Sequence, residues 1–400
     1  RASFEAFNGL CLGSVRTDGH WCRELKSNVT ITAEYIFLRY VFELDLKADR
    51  EARRINHDRS LLVPRIKIAQ GDIIGLCTQW FLERQETTGD WAGIFPPMHG
   101  RCPVRLGIQA LENFAWEDEK DKMIQAYVSP VWDTALTSIE LCDAKSSDRQ
   151  VCSQALAWRV YRPHLDLWGF SIEYNNIFYP DVDYTAAVIL AQIEHDVGSD
   201  MAQGRILEAF RLIVQCATKK SRATSLFPAL HASCTRGICY IPSTQESSGA
   251  WFGRWGCNYI YGTNHALCGQ EYFVNKDKRV RGLVQPALRW LKLKQNVDGG
   301  WGETLLSYRS PEKGQGKPTA SQSAWALRVL LAHLHPTDIA VEHGICWLVS
   351  SQRLEKGIGS SWPEAVYTGT GFPNQFYLGY DYHRHYFPMM ALGRHLQAVI

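Results

Sequence analysis

The sequence predicts an all-α fold, an (α/α) barrel or toroid with inner and outer rings of helices. Three features of the 400-residue chain carry that prediction. A Gln-x-x-x-Gly-x-Trp pattern recurs, the segments between its copies show helical patterning, and strand-like alternation is scarce. Recurrence of this kind marks a repeated supersecondary unit.

Taken in chain order, the first copy is loose: "VRTDGHW" keeps Gly19 and Trp21 but has Val15 where Gln should stand. A full copy follows at Gln85, Gly89 and Trp91. "DTALTSIELC" then reads as a helix with Asp133 as its N-cap, because Asp accepts from the free N–H groups of a first turn. "YTAAVILAQI", after Asp183, is apolar nearly all round, as expected of an inner, buried helix. Two more full copies stand at Gln245, Gly249, Trp251 and at Gln295, Gly299, Trp301. "TASQSAWALRVLLAHLH" opens on the capping-box pair Thr319 and Gln322. It places Leu327, Leu330, Leu331 and Leu334 at i, i+3, i+4 and i+7, one apolar face. A last loose copy, "QRLEKGIGSSW", keeps Gln352 and Trp362 across a longer gap. We read the copies as staples: the indole lies against the start of the next helix, and the Gln bonds backbone groups of the preceding element.

Composition narrows the function. Hydrophobic residues make up 46% of the chain, enough for a large core, and the formal charge is only +2. A nucleic-acid partner is not expected, since that role needs a basic surplus on one face. The 12 Cys form no C-x-x-C pair, and Cys234 and Cys239 lie near no His cluster, so they read as reduced thiols in a cytosolic setting. Asn28-Val29-Thr30 fits a glycosylation sequon, read as chance because no signal peptide precedes it. No run approaches the roughly 18 apolar residues needed to cross a bilayer, which leaves soluble or monotopic. The 14 Trp, 17 Tyr and 16 Phe are core mass on the plain reading, and something more if they line a site.

The motifs "DGHWCRELKSNVTITAEY", "GDWAGIFPP", "SPVWDTAL", "YPDVDYTA", "WFGRWGCNYIYGT" and "YTGTGFPNQFYLGY" run from one end of the chain to the other. Together with the repeats, they resemble the triterpene cyclases of the squalene–hopene cyclase type. Oxidosqualene cyclases share the repeats but carry an Asp-Cys-Thr acid motif, whereas this chain has D-x-D. The resemblance implies two α-barrel domains enclosing a hydrophobic cavity: a partial first barrel with its N-terminal segment in 1–153, and a C-terminal barrel in 154–400. It implies an isomerase that cyclises squalene or a similar polyprenoid, with no cofactor and no metal. It also implies an intracellular, monotopic location at a membrane surface or lipid droplet, the endoplasmic reticulum if the source is eukaryotic. A homodimer is compatible with it.

The chemistry so implied begins by protonating an alkene, a very weak base. The donor must be a neutral acid in a dry site, because an Asp in water, with pKa about 3.9, is ionised. By resemblance the donor is Asp183, with Asp181 supporting it and Tyr184 and Arg205 as its neighbours. On the residues alone, Pro180 and these acids could equally start a helix. Positive charge then migrates along the folding polyene, where aromatic faces stabilise it by about 0.5–2 kcal/mol each without taking a proton. The family's cavity-lining rings fall on Trp132, Phe170, Trp255, Tyr261, Phe372, Phe376 and Tyr380. Phe372, Phe376 and Tyr380 are four apart, so one helical face could present all three. Glu34, Phe95 and Pro96 match the far end, where termination or water capture occurs.

The chain departs from the family pattern in places. Tyr184 stands where the acid motif has a further Asp, "SDMAQGR" sets Asp200 one residue out of register, and His383 replaces a Tyr. "KADREARRINHDRSLL" stands in for a long part of the first barrel, and the chain is well short of family length. A catalytically impaired or partial, lipid-binding relative and a cyclase of oxidosqualene or another polyprenoid are therefore the alternatives.

Overall fold

The computed structural model describes residues 25–27, 115–117, 122–125, 128–145, 184, 186–188, 190–191, 240–355, 359–373 and 376–400. The chain divides into two compact units, one of Arg1–Lys26 with Tyr127–Ile400 and one of Ser27–Ala126. In the smaller unit, strands β2 (Ala115–Glu117) and β3 (Lys122–Ile124) pair antiparallel, with Trp116 opposite Met123.

Six α-helices of the larger unit have both ends described: α1 (Pro130–Asp143), α2 (Tyr259–Cys268), α3 (Lys278–Leu293), α4 (Ala320–His333), α5 (Ile339–Ser351) and α6 (His383–Val399). Their burial alternates along the chain. In α3 the buried residues Val280, Leu283, Val284, Ala287, Leu288 and Leu291 form one stripe, which leaves the opposite face to solvent. In α4 every residue from Ala320 to Leu330 is buried. In α5 burial narrows again to Ala340, Val341, Gly344 and Leu348. Outer, inner, outer is the sequence expected of an α/α toroid. Helix α6 packs between α1 and α4, and α4 packs in turn on α2 and α5. One hydrophobic core runs through all six.

Local chemistry explains the helix starts. Thr319 caps α4 by accepting from Gln322 N–H, as its sequence predicts. Asp277 and Asp338 cap the outer helices α3 and α5 in the same way. The start of α1 differs from expectation. Ser129 is the N-cap residue and Pro130 occupies the first turn, where its missing N–H costs nothing. Asp133 lies inside that turn, 3% exposed, and accepts from Ser129 Oγ at 3.1 Å. Helix α6 approaches α1 at Gly393, where an added Cβ would lie 2.4 Å from Asp143 O.

The repeated turns work as staples, but the hydrogen bonds of both the Trp and the Gln run in the opposite direction from expectation. Trp251 Nε1 donates to Ile241 O at 2.9 Å, Trp301 Nε1 to Leu291 O at 2.8 Å, and Trp362 Nε1 to Leu348 O at 2.8 Å. Each indole thus ties down the end of the helix before it. The Gln reaches forward rather than back. Gln245 Nε2 bonds its own Gly249 O at 2.9 Å and Leu283 O of α3 at 3.0 Å. Gln295 Nε2 bonds Gly299 O at 2.8 Å and Ala340 O of α5 at 2.9 Å. The glycines lie at φ +95° and +96°, a left-handed backbone, and an added Cβ would lie 2.6 Å from Pro286 O or 2.5 Å from His343 O. Each turn therefore meets the following outer helix in the same register. Gln352 Nε2, in the loose copy, is buried with no partner among the described residues.

The remaining strands sit at the C-terminal end. Strands β4 (Arg353–Glu355) and β5 (Gly359–Ser361) form one hairpin, and β6 (Gly369–Phe372) and β7 (Phe376–Tyr380) another. Strand β1 (Leu25–Ser27) adds to β7 at its free edge. No helix among the described residues is long and apolar enough to cross a membrane.

Candidate active site

The inner helices and the β6–β7 hairpin bring Tyr261 and Tyr380 onto one aromatic cluster, with Trp132 beside its Tyr386. Helix α1 supplies Trp132, one residue before the buried Asp133. The 184–191 segment is helical at its described positions, with Ala187, Val188 and Ala191 buried, whereas Ala186 and Leu190 are exposed. It is therefore not buried all round. Its first described residue, Tyr184, meets Trp132 edge-on at 5.3 Å. The acid motif's one described member thus lies against a predicted cation-stabilising ring.

Helix α2 supplies Tyr261, which meets Trp325 of α4 edge-on at 4.9 Å and His265 at 4.2 Å. Trp325 in turn meets Phe387 of α6 at 5.4 Å and His383 at 6.0 Å. Tyr386, fully buried on α6, packs edge-on to Phe387 at 4.9 Å. Edge-to-face pairs of this kind hold ring orientation, because the positive edge of one ring meets the negative face of another.

Phe372, Phe376 and Tyr380 are not on a helix. They lie on the β6–β7 hairpin, with Phe372 paired to Phe376 across the turn. Gly369, Gly371 and Pro373 favour that turn over a helix. Phe376 and Tyr380 still share a face, since side chains two or four apart on a strand point the same way. Tyr380 stacks flat on His383, with centroids 4.3 Å apart and planes 8° apart. Trp255, in the loop before α2, is 48% exposed, and the Arg254 guanidinium lies over its ring at 4.7 Å. Asp181, Asp183, Phe170, Arg205, Glu34, Phe95 and Pro96 lie outside the described residues.

Electrostatics marks the cluster as dry. Burial, aided by the nearby His265, lowers the His383 pKa to about 3. Neither of its ring nitrogens has a hydrogen-bond partner among the described residues. His265 also falls to about 3, first by burial and then by the charge of Arg328. The His265 residue is nevertheless exposed, so of the two imidazoles His383 is the one shut away from solvent. Burial also raises the Tyr386 phenol well above its usual range, and the nearby Asp133 adds to the effect.

The arrangement offers a cation several ring faces beside the buried, neutral imidazole of His383. Sequence reasoning missed Trp325, His265, Tyr386 and Phe387. Trp325 lies within the predicted α4, but on the side away from the leucine face that the spacing marked. The His265 signal was its spacing of four from Tyr261, one helical turn.

Comparison with known proteins adds to this geometry. The model of the squalene–hopene cyclase C-terminal domain matches residues 128–216 and 223–397, and that of the N-terminal domain matches residues 5–60. A terpene cyclase–glycosyl transferase fusion protein of Humicola fuscoatra is 37% identical over 415 residues, covering 80% of this chain and 31% of that protein. The squalene hopane cyclase of Aspergillus fumigatus is 33% identical over 401 residues, covering 73% of this chain and 54% of that protein. The squalene–hopene cyclase of Alicyclobacillus acidocaldarius is 34% identical over 389 residues, covering 80% of this chain and 60% of that protein. The chain thus spans between 31% and 60% of the length of these relatives.

Proposed function

Because the chain belongs to the squalene–hopene cyclase family, we propose that it catalyses the protonation-initiated cyclisation of squalene to a hopene-type pentacyclic triterpene. The observation that carries this reading is the edge-on contact of Tyr184 with Trp132 at 5.3 Å. It turns the residue beside Asp183 toward the aromatic cluster.

The steps follow from the chemistry of the groups. A neutral Asp183 gives its carboxyl proton to a terminal alkene carbon, forming a C–H bond and leaving a tertiary cation. Successive double bonds attack that cation, and each ring closure moves the charge onward. Tyr261, Trp325 and Tyr380 offer π faces to the travelling charge, each worth about 0.5–2 kcal/mol when desolvated. Loss of a proton from carbon, or capture of water, ends the cascade, and the acid is reprotonated from solvent. The burial that keeps His383 neutral also protects a carbocation that water would quench.

Incubating the purified chain with squalene and extracting for gas chromatography with mass detection tests the proposal. Asp183→Asn should lower turnover by at least about 10²-fold, the usual weight of a positioned proton donor. A folded wild-type chain that forms no cyclic product defeats it. Tyr184 itself favours a second reading, a lipid-binding relative without turnover. It replaces a carboxylate with a phenol, and its ring is engaged by Trp132. Turnover by the unaltered chain rules this reading out.

A further inference from the structure

We propose that Glu303 and Glu364 are positioning residues that set the angle of the Tyr261–Trp325 ring pair, and through it the stabilisation of positive charge. The inference rests on the cyclase reading above. Each Glu stands two residues after a stapling Trp, in Trp301-Gly302-Glu303 and Trp362-Pro363-Glu364. In each case the carboxylate reaches the start of an inner helix lying earlier in the chain.

Helix α2 has no cap of its own. Asn258, its N-cap residue, makes no side-chain bond to the first turn and instead accepts from Gly253 N at 3.2 Å. Glu303 Oε2 accepts from Asn258 N at 3.2 Å and Ile260 N at 3.0 Å, while Oε1 accepts from Gly314 N at 3.0 Å. Glu303 is itself clamped. Its N–H donates to Gln322 Oε1 at 2.9 Å, and its carbonyl accepts from Gln322 Nε2 at 3.0 Å. The same Nε2 bonds Cys257 O at 3.0 Å. The carboxylate is 5% exposed and sits at the positive end of the helix, where negative charge is favoured. The residue after Ile260 is Tyr261.

Glu364 repeats the arrangement on α4. Its Oε2 accepts from Ser321 N at 2.9 Å and its Oε1 from Ser321 Oγ at 2.8 Å. Thr368 Oγ1 donates to Oε1 at 3.3 Å. Four residues after Ser321, one helical turn, stands Trp325. The two rings that meet at 4.9 Å and 76° are therefore carried on helices whose starts the two carboxylates hold, on α4 together with the Thr319 cap. Neither Glu touches the ring cluster, so each acts through the helix it caps.

The test compares a neutral ligand with a charged one. Squalene and a polyprenyl dimethylamine, protonated at neutral pH, are titrated into the wild type, Glu303→Gln, Glu364→Gln and the exposed control Glu312→Gln. In either capping variant the amine should lose at least tenfold in affinity, while squalene loses less than threefold. Hydrogen exchange should rise at Asn258 and Ile260 in Glu303→Gln, and at Ser321 in Glu364→Gln. Equal losses for both ligands would reduce the carboxylates to plain stabilisers and overturn the proposal. Unchanged exchange would overturn it as well. A wild type that binds neither ligand sinks the cyclase reading instead. In that event the near-UV dichroism of the ring pair, assigned with Trp325→Phe, decides the positioning claim. A signal unaltered in both capping variants refutes it.

Discussion

Replace Gln295 by Met, and separately replace Gln352 by Met. The two changes are chemically identical, both remove a part-buried amide from a turn of the same repeat, and they should act oppositely. Gln295 Nε2 serves two carbonyls, Gly299 O at 2.8 Å and Ala340 O at 2.9 Å. Met keeps the side chain's length and leaves both acceptors without that donor. A buried polar group left unsatisfied costs about 1–3 kcal/mol, so a loss of roughly 2–3 kcal/mol is expected. Gln352 Nε2 is buried without a partner among the described residues, so the same change removes an existing penalty. It should be neutral, or stabilising by about 1 kcal/mol. Urea unfolding followed by tryptophan fluorescence reads the difference. With m of about 3 kcal/mol per M for a unit this large, Gln295→Met should lower the midpoint by roughly 0.7–1 M while Gln352→Met leaves it level or higher. Equal losses in the two variants would show that the forward bond to α5 contributes nothing, and the account of the staple would fail.

Two further outcomes follow. Gly299→Ala should destabilise by more than the about 1–2 kcal/mol that a left-handed backbone costs a residue with a side chain, because its Cβ also meets His343 O at 2.5 Å; a urea midpoint within error of wild type would contradict this. Acid should weaken the fold through His383, which is 4% exposed and neutral down to about pH 3. An unfolded His takes a proton near pH 6.5, so this stability is complete above pH 6.5 and is lost as pH falls toward about 3, at about 1.4 kcal/mol per pH unit. His265 acts in the same direction, with less weight because it is exposed. His383→Phe should flatten the decline between about pH 7 and pH 5, and an undiminished slope there would speak against it.

The sequence showed the parts of this fold that depend on local pattern. Thr319 and Gln322 announced the start of α4, and the Gln-x-x-x-Gly-x-Trp copies announced the turns. What failed depended on partners distant along the chain. The direction of Gln295 could not be read, because Ala340 lies 45 residues away. Phe372, Phe376 and Tyr380 misled because the spacing of four from Phe376 to Tyr380 suits both a helical turn and one face of a strand, while that from Phe372 to Phe376 spans a hairpin turn. The glycines at 369 and 371 and Pro373 held the deciding signal. Asp133 looked like a cap because it precedes an apolar run, but Pro130 had already begun the helix. Of the site, Trp132, Tyr261, Phe376 and Tyr380 came from motif resemblance, not from periodicity. Trp325 had neither signal, since it lies on the side of α4 away from its leucine face. The two capping glutamates were visible as a recurring Trp-x-Glu, but their targets appear only in three dimensions.

Pro286 and His343 occupy the same place relative to the glycine of the turn before them, and Leu283 and Ala340 the same place relative to its Gln. The turns are thus plugs of one gauge, and each outer helix presents a matching socket whose two contact points lie three residues apart. On the helix side the hydrogen bonds end on backbone carbonyls, so the socket places few demands on its own side chains. What ties each module to its particular neighbours is carried elsewhere, by carboxylates such as Glu303 that reach helix starts earlier in the chain.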